Sequence, residues 1–135
     1  MGTFPCSEEH QLLFREFLTR VGDKWSLAVV YRLGNGPLRF SELMRAVDGI
    51  SERMLTVTVR ALERDGLLSR TVFAVVPPRV EYQLTDMGLS LLGTVGELFR
   101  WTSEHVETII DARAEYEAGK GDDGVRALAR AVRYE

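Results

Sequence analysis

The chain has one cysteine, Cys6, in 135 residues, so it closes no disulfide within itself. Histidine is nearly as scarce. His10 and His105 stand far apart and, with a single cysteine, give no metal-ligand spacing. Neither a metal nor a cofactor is expected. No run approaches the roughly 18 unbroken apolar residues of a membrane span. The opening residues Met1 to Cys6 lack the basic-then-apolar pattern of a secretory signal. Together these absences point to the cytoplasm. A Gly-rich phosphate loop after a strand is also missing, as is a nucleophile–base arrangement, which argues against an enzyme.

The hydrophobic fraction, 45%, and the charged fraction, 27%, suit a globular chain long enough for one proper core. The net charge of −3 taken alone opposes a nucleic-acid partner, but it is unevenly spread. Residues 39–79 carry seven arginines (39, 45, 53, 60, 64, 70, 79) against five acids (42, 48, 52, 63, 65), whereas residues 80–123 carry three basic side chains against ten acids. Phosphate binding depends on the local face and not on the total. A mildly basic middle before an acidic back suits an oriented approach to DNA. Two ordinary solvated surfaces would give the same numbers.

Apolar residues at Leu13, Phe14, Phe17, Leu18 and Val21 have helical spacing, and Gly22 ends that helix. Asp23 is placed to cap the next helix, which carries Trp25, Val30 and Leu33 and stops at residues 34–37. Residues 39–47 read as a short helix with Phe40, Leu43 and Val47 inward, and Asp48-Gly49 as a turn. Ser51 stands at an N-cap. The helix from 52 to 65 places Leu55, Val59 and Leu62 on one face and Arg53, Thr56, Val57 and Arg60 on the other. Gly66 suits the left-handed position after a helix. Residues 67–76 read as a strand, Pro77-Pro78 as a rigid tip, and 79–84 as a returning strand with Val80, Tyr82 and Leu84 on one side. Thr85 caps a long helix from 86 to 117, which at 1.5 Å per residue would run roughly 48 Å and so pack in part on another subunit. The glycines at 119, 121 and 124 predict a flexible break, followed by a short helix at 125–132. Residues 7–117 are thus one domain and 118–135 a break with a candidate C-terminal helix.

Short helix, glycine turn, capped helix and hairpin, in that order, form a winged helix-turn-helix: mainly α with a small β-hairpin wing. A recognition helix must bury one face in its own domain and present the other to the major groove. Residues 52–65 meet both demands, with no acid between Arg53 and Glu63. Ser51 and the free amides of the first turn suit a phosphate. Arg79, beyond the two prolines, is the candidate probe of the minor groove or backbone, and Arg39 the candidate contact on the flank. Each of these arginines has an alternative reading as a solvated or locally paired side chain. Arg64 and Arg70 are read as neutralising nearby acids. A winged-helix module that binds protein without DNA is the alternative function. It would need an apolar or acidic stripe where only Val57 is apolar.

Five segments resemble the HxlR family of bacterial regulators: residues 22–25 (Gly-Asp-Lys-Trp), 36–43 (Gly-Pro-Leu-Arg-Phe-Ser-Glu-Leu), 49–56 (Gly-Ile-Ser-Glu-Arg-Met-Leu-Thr), 62–67 (Leu-Glu-Arg-Asp-Gly-Leu) and 76–85 (Val-Pro-Pro-Arg-Val-Glu-Tyr-Gln-Leu-Thr). The resemblance covers residues 20–100. It implies a homodimer that binds operator DNA as repressor or activator and dimerises through its first and last helices. The chain departs from the family at Asp23, where a second glycine is usual, and at Val57, where a polar residue is common. Some HxlR-like regulators sense quinones, aldehydes or oxidants through a cysteine near the N-terminus, which makes Cys6 the candidate sensor. Glu8 and Glu9 nearby oppose its thiolate, and an inert thiol is the other reading. Trp25, Tyr31, Phe99 and Trp101 are candidates for a dimer interface or an effector pocket, or are simply packing. Gly93 and Gly96 suggest a close approach by a neighbouring backbone or ring.

Overall fold

A computed structural model describes the backbone of residues 7–133 and the side chains of residues 7–119. The chain divides into two compact units after Thr94.

The first unit contains α1 (Glu8–Val21), α2 (Lys24–Leu33), β1 (Leu38–Arg39), α3 (Phe40–Ala46), α4 (Glu52–Arg64), β2 (Leu68–Phe73), β3 (Arg79–Leu84) and the start of α5 (Asp86–Glu104). Helix boundaries follow local chemistry. The side chains of Ser7, Asp23 and Ser51 accept hydrogen bonds from the backbone N–H of His10 (3.4 Å), Trp25 (3.1 Å) and Met54 (3.1 Å), each satisfying an orphan first-turn donor. Gly49, at φ 81°, makes the turn between α3 and α4. After α4, Gly66 takes φ 77° while its N–H donates to the Glu63 carbonyl and that of Leu67 to the Leu62 carbonyl, a Schellman termination. Thr85 then ties this corner to α5. Its hydroxyl donates to the Gly66 carbonyl (2.6 Å) and accepts from Gly88 N–H (3.1 Å).

The core gathers Val29, Val30 and Leu33 of α2, Leu43 of α3, Leu55, Val59 and Leu62 of α4, and Leu67, Leu68, Tyr82 and Leu84 around the sheet. That sheet has three antiparallel strands in the order β1-β3-β2. The expected hairpin therefore gains a third strand, in which Leu38 faces Tyr82 and Arg39 faces Glu81. The short helix accordingly starts at Phe40 and not at Arg39. The first hairpin strand ends at Phe73, three residues before the expected Val76. Pro77 has no N–H to extend the ladder, so residues 74–78 form the tip.

The second unit holds the rest of α5 and α6 (Val106–Arg133). The single helix expected over 86–117 is interrupted at His105. Its Nδ1 lies 2.7 Å from the Trp101 carbonyl oxygen, and its ring stacks on the Trp101 indole at 4.5 Å. A side chain bonded to its own helix's carbonyl competes with the i→i−4 ladder. Conversely, the break expected near residues 118–124 is replaced by continuous helix. Glycine costs ~1 kcal/mol per helical position but does not forbid it. At both Gly93 and Gly96 an added Cβ would meet nothing within 4 Å, so no neighbouring group of the described chain occupies the space beside them.

Candidate nucleic-acid interface

Helix α4 is held on one side by Leu55, Thr58, Val59 and Leu62, all buried. Its opposite side exposes Arg53, Val57 and Arg60. Neither guanidinium makes an ion pair among the described residues, so both forks are free to meet an acceptor. Thr56 differs from expectation. Its hydroxyl donates to the Glu52 carbonyl (2.9 Å), so that proton is not available to a base. Met54 is also partly exposed beside this face, at 38%. Ser51 caps the helix, and the amides of Glu52 and Arg53 lie beyond reach of any i−4 helical carbonyl.

On one face of the sheet Arg39 lies beside Glu81 across the β1–β3 pair, and Arg79 lies two residues before Glu81 along β3. Arg79 opens the returning strand, as the sequence reading placed it, and lies opposite Phe73 at the end of the ladder next to the tip. Its guanidinium lies 4.6 Å over the Phe73 ring, with Nε 3.5 Å from a Glu81 carboxylate oxygen, an ion pair without hydrogen-bond geometry. Arg39 N–H donates to Glu42 (3.0 Å), and its Nε reaches the same carboxylate only at 4.0 Å, a weak exposed pair. The tip instead presents Val75 and a wholly exposed Val76. Arg64 meets Asp65 at 3.9 Å, as expected, whereas Arg70 makes no ion pair among the described residues.

The sequence reading missed Arg45. It is exposed on α3, makes no ion pair among the described residues and, with Ser41 and Glu52, borders a concavity of about 490 Å³ between α3 and the start of α4. Inward Phe40, Leu43 and Val47 already imply that Ser41 and Arg45 face out. It also missed Arg20, whose Nε lies 3.3 Å from Asp65, joining α1 to the C-cap of α4.

The aromatic candidates do not form a common pocket within either unit. Trp25 is half-buried on the core, next to the turn at Gly49, while Tyr31 of the same helix is exposed. Phe99 and Trp101 are both exposed on α5. A concavity of about 930 Å³ runs along α1 instead and is lined by Leu13, Phe14, Phe17 and Met87, with His10 and Asp65 also on its lining. Helix α1 buries none of its residues and exposes Leu12, Leu13, Phe14 and Leu18. Cys6 lies outside the described residues. No helix of the described chain is long and apolar enough to cross a membrane.

The model of the HxlR-like helix-turn-helix family matches residues 20–110. The chain is 39% identical over 101 residues to the HTH-type transcriptional regulator YtfH of Escherichia coli, covering 75% of this chain and 80% of that one. It is 44% identical over 97 residues to the HTH-type regulator YkvN of Bacillus subtilis, covering 72% and 81%. Among solved structures it resembles the reduced form of the redox regulator HypR, with a TM-score of 0.66 and 34% identity over 73% of this chain and 98% of that one.

Proposed function

The chain belongs to the HxlR-like helix-turn-helix family of transcriptional regulators, and from that premise we propose that it binds its operator as a homodimer with α4 in the major groove. The observation that carries this reading is the division of α4: a buried apolar side, and an outer side whose Arg53 and Arg60 make no ion pair among the described residues. Guanidinium forks match the O6/N7 edge of guanine. Ser51 and the first amides of α4 face a phosphate, and Arg39, Arg79 and Arg45 meet the flanking backbone. Arg79 then works from the tip end of the wing's ladder, and Thr56 contributes an acceptor and a methyl group but no hydroxyl donor. A protein-binding version would need an apolar or acidic stripe where the outer side of α4 carries Arg53 and Arg60 on either side of a single valine.

The dimer is supported by α1, whose Leu12, Leu13, Phe14 and Leu18 stay more than half exposed among the described residues, and by the open space at Gly93 and Gly96. We assign the cytoplasm as the site of action. Similarity to a redox regulator favours an oxidant or electrophile input through Cys6. With one cysteine, the chemistry is limited to alkylation, a mixed disulfide or a bond to the same cysteine of a second copy.

Fluorescence anisotropy tests the reading directly. Duplexes are selected from a random pool with the purified protein and titrated at several salt concentrations, before and after diamide. Saturable binding whose log K falls by ~0.9 per phosphate contact for each log unit of salt is expected, with footprints centred one helical turn, about 34–36 Å, apart or a multiple of that. Failure to enrich any duplex contradicts the proposal. Diamide-insensitive binding removes the redox input alone.

A further inference from the structure

The outer face of α4 carries an apolar residue at its middle. Val57 lies one turn beyond Arg53 and one turn before Arg60, on the side opposite Leu55, Thr58, Val59 and Leu62. It is 55% exposed. We propose that Val57 reads the C5 methyl of a thymine in each half-site, between the contacts of Arg53 and Arg60. The inference rests on α4 occupying the major groove, and it names what the centre of that helix recognises.

Four properties lead to it. Valine offers neither donor nor acceptor, so a guanine, adenine or cytosine edge pressed against it would lose water and gain no hydrogen bond. The thymine methyl is the one apolar group displayed on the major-groove edges. The neighbouring Thr56 cannot supply a donor in its place, because its hydroxyl proton is held by the Glu52 carbonyl at 2.9 Å. A β-branched side chain in a helix has one strongly preferred rotamer, so the two methyls are already fixed before binding and little entropy is lost on contact.

The helix also sets the spacing. Four residues rise about 6 Å and three about 4.5 Å, against about 3.4 Å per base step. The thymine therefore falls within about two base steps of each arginine's contact.

The probe is a duplex selected by the wild-type protein from a random pool, with each thymine replaced in turn by deoxyuridine, which lacks only the methyl. Affinities are measured for wild type, Val57→Ala and Val57→Thr. One thymine per half-site is expected at which removing the methyl weakens wild-type binding about fourfold, the value of one buried methyl group. Val57→Ala, which loses both γ-methyls and the reach they give, should discriminate thymine from deoxyuridine less than wild type, and Val57→Thr, which keeps one γ-methyl, should fall between them. Alanine is the stronger helix former, so Val57→Ala remains folded, as circular dichroism verifies. Tight, salt-dependent binding with the same thymine-to-deoxyuridine ratio in wild type and Val57→Ala at every position overturns this inference and leaves the regulator reading intact. A pool that yields no bound duplex overturns both.

Discussion

Replacing Phe14 by glutamate separates the assembly of this protein from its fold. Phe14 is 62% exposed on α1, a helix with no buried residue. A phenylalanine presents about 200 Å², so roughly 120 Å² awaits cover. At ~25 cal/mol per Å² that is worth about 3 kcal/mol per copy. A two-fold interface repeats each contact, which gives a ceiling of about 6 kcal/mol, or roughly four orders of magnitude in the dimer dissociation constant. Folding of the single chain should barely change, since nothing inside it depends on the ring. Sedimentation equilibrium over a broad concentration range reads the first effect, and thermal unfolding at a concentration where both proteins are monomeric reads the second. A Phe14→Glu protein that dimerises as wild type refutes the assignment of α1 to the interface. Loss of secondary structure in the monomer refutes the claim that Phe14 is uncovered within its own chain.

Ser51→Ala should lower stability by ~1 kcal/mol in chemical denaturation through loss of the Met54 N–H acceptor. Ser51→Asp should keep that cap and the stability yet weaken duplex binding by placing a carboxylate against a phosphate; unchanged affinity argues against a phosphate there. Gly88→Ala should destabilise the fold by about 1–3 kcal/mol, because a Cβ at Gly88 collides with the Leu67 carbonyl group and crowds the Leu84 side chain. An urea midpoint equal to wild type would show that the start of α5 can move away freely.

What the sequence makes legible is what local chemistry encodes within a few residues. Asp23 and Ser51 mark helix starts because a short polar side chain reaches a free N–H. Gly49 and Gly66 mark turns because the backbone there adopts positive φ. The alternation of Val80, Tyr82 and Leu84 gives the inner face of β3 directly. The misses share a different cause. Strand β1 is two residues long, too short to show a period, and exists because β3 offers it an edge. The break at His105, where the backbone N–H turns to the Thr102 carbonyl and the ring nitrogen takes the Trp101 carbonyl, leaves no periodic trace. The Thr56 hydroxyl depends on a rotamer. Periodicity in α1 identified an apolar face but could not say that Leu12, Leu13, Phe14 and Leu18 would stay more than half exposed among the described residues.

The central claim is that the outer face of α4 reads DNA, and the most direct measurement is the affinity of Arg53→Ala and Arg60→Ala for the duplex selected by the wild-type protein. Each substitution should cost ~1–3 kcal/mol and relax preference at one base pair of the half-site while leaving the fold unchanged. Wild-type affinity and base preference in both variants would contradict the account.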